Sequence, residues 1–167
     1  MKIINIGGAI NAGKSTVSKI VARNLEKTVF IEVDDLLSDD EDAKLADFGQ
    51  RINARLDRLY LLLEQYADSK IYEHILFAYP MTEKSLDRIK KLASGRADVI
   101  VITLNPPLEK CLSNRGERRL DAWETNRIKE MYAQGFNCFR GSDLILDNGN
   151  DSAEETAQKV ISFILRH

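Results

Sequence analysis

An eight-residue segment near the start of the chain restricts the possible folds more than any other feature. Residues 8–15 read GAINAGKS and match the pattern G-x-x-x-x-G-K-[S/T]. A short apolar run at residues 3–6 precedes the segment, and apolar residues at helical spacing follow Ser15, which predicts the order strand, glycine-rich loop, helix. Glycine allows backbone angles that other residues resist, so successive N–H groups can point into the loop beside the positive end of the helix. The segment is therefore predicted to bind phosphate groups.

The same pattern gives roles to the side chains of the loop. Lys14 is predicted to reach the β- and γ-phosphates of a nucleotide, and Ser15 is predicted to ligate Mg²⁺. The nucleotide-binding residues predicted from the loop are Gly8, Asn11, Ala12, Gly13, Lys14, Ser15 and the adjoining Thr16. The sequence thus predicts a site for a nucleoside triphosphate with magnesium.

The rest of the chain alternates between apolar strand patterns and amphipathic helix patterns. After the first strand, further strands are predicted at residues 28–33, 70–75, 99–104 and 144–146, with helical patterns between them. A capping box, SAEE, precedes the last helical pattern. Because the connections are too long for hairpins, the 167 residues are predicted to form one α/β domain, a five-stranded parallel sheet with helices on both faces.

Polar residues follow several of the predicted strands. Asp34 and Asp35 come after the second strand, Glu73 lies late in the third, Asn105 follows the fourth and Asn148 follows the fifth. Ligands of open parallel sheets bind beyond the carboxyl ends of the strands, where the strand order reverses. We therefore expect these polar groups to gather at one edge of the sheet. Asn105 is also predicted to cap the next helix, since a proline follows it.

Composition narrows the choice of partners. Lys and Arg number 24 against 26 Asp and Glu, so the formal net charge is −2 and there is no overall basic excess to hold a nucleic acid or an anionic membrane. Only two cysteines occur, too few for a disulfide framework, and no apolar run approaches the length that spans a bilayer. Met1 and Lys2 lead directly into a strand pattern instead of a signal peptide. The expectation is a cytoplasmic protein, monomeric or homodimeric, with a small-molecule substrate.

Missing motifs argue against some classes of nucleotide-binding protein. The guanine-reading pattern N-K-x-D is not found after the fourth predicted strand, where residues 104–107 read LNPP, and D-x-x-G is not found after the third. A regulatory GTPase is therefore not expected. The chain is also too short for the extra strands and arginine-bearing modules of motor ATPases. Among the classes of nucleotide-binding protein considered, a small phosphotransferase remains.

These features resemble the small-molecule kinases that carry such a loop, the P-loop kinases, in the branch of shikimate kinases and nucleoside or nucleotide kinases. The resemblance covers nearly the whole chain. It rests on the loop at residues 8–15, FIEVDD at 30–35, the strand at 99–104 followed by NPPLEKCL, an arginine-rich stretch at 114–129, and LILD at 144–147 before the final helix. It implies a three-layer P-loop NTPase fold with an arginine-rich lid at about residues 114–129, and ATP and Mg²⁺ as cofactors.

The resemblance also implies roles for side chains outside the loop. In that family the acidic residue after the second strand contacts the acceptor hydroxyl, a position that Asp34 takes here, with Glu32 or Asp35 near Mg²⁺. Lid arginines close over the transferred phosphate, and the candidates are Arg115, Arg118 and Arg119. Phosphoryl transfer itself requires a carboxylate to take a proton and cations to absorb charge. Glu73 would be the acid at the end of the third strand, and Asn148 lies where the family passes the adenine ring.

The sequence leaves the acceptor open. The leading prediction is transfer from ATP to a hydroxyl of a nucleoside, a metabolite or an antibiotic-like molecule, bound by the helical region at residues 36–69. The acidic run DDED within that region would repel a phosphorylated acceptor and favours a neutral or cationic one. Against this, Arg51, Arg55 and Arg58 share one helix face, as a nucleoside monophosphate kinase requires. Arg51 and Arg55 are predicted to bind substrate, together with Asp34 and Glu73. A regulatory protein that hydrolyses ATP slowly is the third possibility.

Overall fold

The computed structural model describes residues 1–114 and 119–167 as an α/β fold. Its strands are β1 (Lys2–Gly8), β2 (Thr28–Glu32), β3 (His74–Ala78), β4 (Asp98–Leu104) and β5 (Leu144–Leu146). Its helices are α1 (Lys14–Asn24), α2 (Asp39–Ala43), α3 (Phe48–Ser69), α4 (Glu83–Ala93), α5 (Leu108–Cys111), α6 (Ala122–Ala133) and α7 (Ala153–Ile164), and a 3₁₀ helix, Val33–Leu36, follows β2. None of the helices in the described residues is long and apolar enough to cross a membrane.

The strands form one parallel sheet in the order β2-β3-β1-β4-β5. β1 lies at the centre, between β3 and β4. The chain first winds from β1 to the β2 edge and returns through β3, and it then passes β1 to build β4 and β5 on the other side. The winding direction therefore reverses beside β1, which is where ligands bind in open parallel sheets. The predicted five-stranded parallel sheet is confirmed for the described part of the chain.

Helices cover both faces of the sheet, as predicted. On one face, Ile4 and Ile6 of β1 are buried together with side chains of α1, α6 and α7. On the other face, Ile3 of the same strand is buried with side chains of α3 and α4. Because successive residues of a strand point to opposite faces, a strand covered on both sides needs apolar residues in an unbroken run. The predicted three-layer α/β architecture is confirmed.

The third strand begins later than the sequence pattern predicts. The pattern indicates residues 70–75, whereas β3 spans His74–Ala78. The long helix α3 ends only at Ser69, its C-cap Lys70 has the left-handed φ of 54°, and the residues after it form a connection. As a consequence, Glu73 precedes β3 instead of ending it, and the residue that follows β3 is Tyr79.

The predicted helix start at Asn105 is wrong. α5 begins at Leu108 with Pro107 as its N-cap. The backbone N–H of Asn105 instead donates to the carbonyl oxygen of Leu146 at 2.8 Å. Its side-chain oxygen accepts a hydrogen bond from Nδ2 of Asn137, also at 2.8 Å. Asn105 therefore ties the loop after β4 to the chain around β5, and both of its polar partners are far from it in sequence.

The region predicted to form a lid divides into two parts. Residues 115–118 lie outside the described residues, and with them the candidates Arg115 and Arg118. From Ala122 onward the chain forms α6, whose start is set by a capping box between Asp121 and Glu124. Arg119 is exposed shortly before this helix. The arginine-rich lid stays a prediction.

Candidate active site

The loop between β1 and α1 has the backbone shape that its glycines predict. Positive φ angles occur at Gly8 (129°), Asn11 (64°) and Gly13 (96°). A Cβ atom on residue 8 would lie 2.5 Å from the carbonyl oxygen of Leu104, so both the angle and the space require glycine. Gly13 is the N-cap of α1, and the first N–H groups of that helix have no intrahelical partner. They are available to bind a phosphate.

The first turn of α1 brings two polar side chains to the loop. The ammonium group of Lys14 donates to the carbonyl oxygen of Ala9 at 2.8 Å. The hydroxyl of Ser15 lies near enough to the carboxylate of Glu32, the last residue of β2, to stabilise its charged form. Burial raises the pKa of Glu32, the nearby Ser15 hydroxyl opposes this rise, and the negative charge of Asp34 adds to it.

The Ser15 and Glu32 side chains fit a magnesium ion bound together with nucleotide phosphates. Across residues 1–114 and 119–167, no group of three histidine, cysteine or acidic side chains is arranged to hold a metal ion. Mg²⁺ seldom needs such a group, because it prefers one or two protein oxygens and takes its other ligands from phosphates and water. The paired hydroxyl and carboxylate oxygens are hard ligands of this kind. Asp35, the third predicted metal residue, is exposed in the 3₁₀ helix that follows Glu32.

Replacing Glu32 tests this assignment. We expect Glu32→Gln to raise the Mg²⁺ concentration for half-maximal ATP turnover by about tenfold, because the amide lacks the carboxylate charge. Since the pKa of Glu32 lies above its ordinary value of 4.5, the wild-type carboxylate becomes protonated at a higher pH than an ordinary glutamate does. Acidification should therefore raise the Mg²⁺ concentration for half-maximal turnover in the wild type and affect this concentration less in the variant. Mg²⁺ titrations at several pH values measure both effects, and an unchanged midpoint in the variant would contradict the assignment.

A cavity of about 440 Å³ lies beside the loop. The predicted residues that line it are Asn11, Gly13, Lys14, Ser15, Thr16, Asp34 and Asn148. Gly8 and Ala12 are buried residues of the loop itself. Asn148, which is 3% exposed, donates from Nδ2 to the carbonyl oxygen of Ala12 at 3.1 Å. The other lining residues, which the sequence did not single out, are Ile10, Val17, Asp151, Ala153 and Thr156. The last three follow β5 at the same edge of the sheet. Their position after a strand could therefore have identified them as candidate site residues from the sequence.

A second cavity, of about 790 Å³, lies between the start of α3 and α6. Its lining residues are Asp42, Phe48, Arg51, Ile52, Arg55, Trp123, Arg127 and Glu130. The exposed rings of Phe48 and Trp123 meet edge to face, with centroids 5.6 Å apart. The Nε–H of Arg55 donates to the backbone carbonyl of Asp34 at 3.3 Å, so Asp34, which lines the first cavity, is directly bonded to a residue of the second.

Ion pairs organise the arginines of the second cavity. The carboxylate of Asp42 lies 2.7 Å from Arg55 and 3.4 Å from Arg51. Arg127 is paired with Glu130 at 2.9 Å. Among the described residues that line this cavity, three arginines therefore face two carboxylates, an excess of one positive charge. Such a lining attracts an anionic group.

The acidic run at residues 39–42 does not stand as a free negative patch. Glu41 forms an ion pair with Arg58 of α3, and this guanidinium holds the pKa of Glu41 down at about 2. Asp42 is paired with two arginines, as described above. The premise that these acids repel a phosphorylated acceptor is therefore wrong for two of the four, because α3 supplies their counterions.

Tyr79 lies near this site, and the sequence analysis does not assign it a role. It follows β3 directly, and its carbonyl oxygen accepts a hydrogen bond from Nδ2 of Asn5 at 3.0 Å. Burial raises the pKa of the Tyr79 phenol to about 12, with the charge of Asp34 raising it and those of Arg55 and Arg127 lowering it. The phenol therefore lies in the combined field of residues from both cavities.

Glu73 lies at the opposite edge of the sheet, so its predicted substrate role is wrong. Its carboxylate pairs with Lys27 at 2.7 Å, which lowers the pKa of Glu73 and raises that of Lys27. Both residues precede strands, at the amino ends of β3 and β2, whereas the phosphate-binding loop follows the carboxyl end of β1. The error has one cause, the displaced start of the third strand.

A scan against protein-family models and a search of curated proteins found no match. Solved structures of the same fold were found. Shikimate kinase from Acinetobacter baumannii, in complex with shikimate, has a TM-score of 0.64 at 18% identity over 99% of this chain and 93% of its own. APS kinase from Mycobacterium tuberculosis, in complex with AMPPNP and APS, has a TM-score of 0.65 at 20% identity over 98% and 97%. Thymidylate kinase from Candida albicans has a TM-score of 0.66 at 14% identity over 98% and 91%.

Proposed function

We propose that this chain, which has the fold of P-loop kinases, is an ATP- and Mg²⁺-dependent kinase for a small-molecule acceptor. The observation that carries the proposal is that a hydrogen bond connects a residue of one cavity, Arg55, with a residue of the other, Asp34. One cavity is lined by the phosphate-binding loop. The other is lined by arginines and aromatic rings, and the hydrogen bond from Arg55 joins it to Asp34. A donor site and an acceptor site side by side are what group transfer requires.

The residues of the first cavity suit the donor nucleotide. The N–H groups at the start of α1 and the ammonium of Lys14 would hold the β- and γ-phosphates. Ser15 and Glu32 would hold Mg²⁺, which neutralises charge on the phosphate oxygens when it is bound. Asn148 supports the loop from below through the carbonyl of Ala12.

Asp34 is proposed to act on the acceptor. As the acceptor oxygen forms its bond to the γ-phosphorus, the bond from that phosphorus to the β,γ-bridging oxygen breaks and ADP leaves. An acceptor hydroxyl loses its proton in this step, and the carboxylate of Asp34 would take it. The proposed acceptor therefore carries a hydroxyl for Asp34 and an anionic group for the arginines of the second cavity.

A nucleoside monophosphate kinase is the second candidate. Three arginines favour it, because together they line the second cavity, which we call the acceptor cavity: Arg51, Arg55 and Arg127. The aromatic rings of Phe48 and Trp123 line the same cavity. In this case the acceptor oxygen belongs to a phosphate that is already ionised, so no base is needed. The two candidates share the donor site. They differ in the role of Asp34, which is a general base for a hydroxyl acceptor and is not needed as a base for a phosphate acceptor.

Acceptor-stimulated ADP formation tests the proposal. The panel contains nucleosides, nucleoside monophosphates, sugars, shikimate and aminocyclitols, each with ATP and Mg²⁺, and Lys14→Ala is the negative control. We expect one class of anionic acceptor to raise ADP formation at least about tenfold above the rate with water alone, as binding of a true acceptor completes the site. Slow hydrolysis that no acceptor changes would instead support a nucleotide-dependent regulatory protein.

A further inference from the structure

Asp42 occupies an unusual position for an acidic residue in a cavity that attracts anions. Its carboxylate lies between the guanidinium groups of Arg51 and Arg55, at 3.4 and 2.7 Å. All three side chains line the acceptor cavity. A carboxylate held by two arginines has the same contacts as a bound anionic ligand, since the planar guanidinium binds carboxylate and phosphate oxygens alike.

The contacts of Asp42 leave it free to be replaced. The 3.4 Å separation from Arg51 is longer than a charge-assisted hydrogen bond. Within the described part of the chain, the buried Nε–H of Arg51 has no hydrogen-bond partner, so Asp42 satisfies this guanidinium only in part. The side chain of Asp42 is 24% exposed, and a partly solvated carboxylate loses less on leaving its partners than a buried one does.

The short helix that carries Asp42 is held by other contacts. No residue of α2, all of which the structure describes, is buried. A capping box between Ser38 and Glu41 starts the helix, and the ion pair between Glu41 and Arg58 fastens it to α3. Asp42 can therefore change partners without loss of packing in the core.

We propose that Asp42 is an internal counterion in the anion subsite of the acceptor cavity, and that a phosphate-sized dianion replaces it on Arg51 and Arg55. This inference rests on the proposed function and gives the chemical class of the acceptor's charged group. A dianion brings more charge and more oxygens to the two guanidiniums than Asp42 does, so the exchange gains interaction energy. A single carboxylate would replace one like itself and gain little. Asp42 thereby selects phosphorylated acceptors against simple carboxylates.

Trp123 makes the exchange measurable without turnover. It is the one tryptophan of the chain and lines the same cavity, so its fluorescence reports on that cavity. Inorganic phosphate and acetate are titrated at constant ionic strength into proteins that all carry Lys14→Ala, which removes the main cation of the phosphate-binding loop. The same titrations are followed by calorimetry. The set comprises Lys14→Ala alone and its combinations with Asp42→Asn, with Asp40→Asn and with Arg51→Gln plus Arg55→Gln.

We expect Asp42→Asn to tighten phosphate binding by about tenfold, because the arginines lose their competitor. Asp40 is an exposed acid on the same short helix and does not line the cavity, so Asp40→Asn should change the affinity less than about twofold through long-range charge alone. Acetate should bind the parent weakly and gain in Asp42→Asn. The double arginine variant should lose the phosphate response.

Weaker phosphate binding in Asp42→Asn would overturn the inference, since Asp42 would then be aligning the arginines for their ligand. Equal effects of Asp42→Asn and Asp40→Asn would overturn it as well, and so would phosphate binding that survives the loss of both arginines, or no phosphate binding by either method. The proposed function fails separately. A protein that exchanges Asp42 for phosphate as expected but transfers no phosphoryl group would refute the kinase proposal and leave this one intact.

Discussion

Lys14→Ala is expected to lower kcat/KM for acceptor-dependent ATP turnover by about 10²–10³-fold, the size of effect seen when one charge-stabilising donor is removed from a transition state. The ammonium group lies over the loop, where it donates to the carbonyl oxygen of Ala9. With ATP bound, it would move to the β- and γ-phosphate oxygens, on which negative charge changes during transfer. Steady-state kinetics with saturating Mg²⁺ measures the effect.

Lys19→Ala is the matched control for this variant. Lys19 is an exposed lysine on the same helix and does not line the donor cavity. Its removal changes the net charge of the protein equally and should leave kcat/KM within about twofold of the wild type, since exposed charges are largely screened. If Lys14→Ala kept turnover similar to that of Lys19→Ala, the loop would have no catalytic role and the donor site would be elsewhere.

Asp34→Asn is expected to lower kcat by about 10²–10⁴-fold for an acceptor that reacts through a hydroxyl, the usual contribution of a general base. ATP affinity should change little, because other residues are proposed to hold the phosphates. Asp39→Asn is the matched control, since Asp39 is exposed and lines neither cavity. The measurements are kcat for the acceptor and the Kd of ATP.

The same variant separates the two candidate kinases. An ionised phosphate acceptor has no proton to lose at the attacking oxygen, so a nucleoside monophosphate kinase should tolerate Asp34→Asn with a loss of less than about tenfold. A large fall in kcat with unchanged ATP binding supports the hydroxyl acceptor. A variant with full activity on every acceptor of the panel would remove Asp34 from the mechanism in both candidates.

The fold and the donor loop could be predicted because their signals are local. The glycines of the segment GAINAGKS are required by backbone angles and by the nearby carbonyl of Leu104, constraints that act within or next to the loop itself. The unbroken apolar runs of the strands predict that helices cover both faces of the sheet, as the structure shows. Ser15 and Glu32 were both predicted to lie near magnesium, and the influence of the Ser15 hydroxyl on the pKa of Glu32 fits that expectation.

The acceptor side could not be predicted as far, because it depends on contacts between distant elements. The end of α3 is formed by Lys70 with a left-handed backbone, and a lysine gives no signal of such a turn in the way that a glycine does. The start of β3 was therefore misplaced, Glu73 was assigned to the wrong edge, and Tyr79 was not recognised. Only the folded chain brings α3 and α6 together around one cavity.

Charge pairing shows the same limit of sequence patterns. The acidic run at residues 39–42 suggests a repulsive mouth for phosphorylated acceptors when it is considered alone. In the structure, Glu41 and Asp42 are paired with arginines of α3, so part of that charge is neutralised. Arg51 and Arg55 were predicted as substrate residues and the acids as an obstacle, whereas Asp42 pairs with both of these arginines.

The central claim is that a phosphoryl group moves from ATP to a small molecule, and the most direct measurement follows that group. ATP labelled at the γ-phosphate is incubated with Mg²⁺, the protein and the acceptor that stimulates ADP formation, and the label is traced by phosphorus spectroscopy or chromatography. The account predicts label in an organic phosphate, formed in equal amount to ADP and absent with Lys14→Ala. Label found only in inorganic phosphate, at a rate that no acceptor changes, would contradict it.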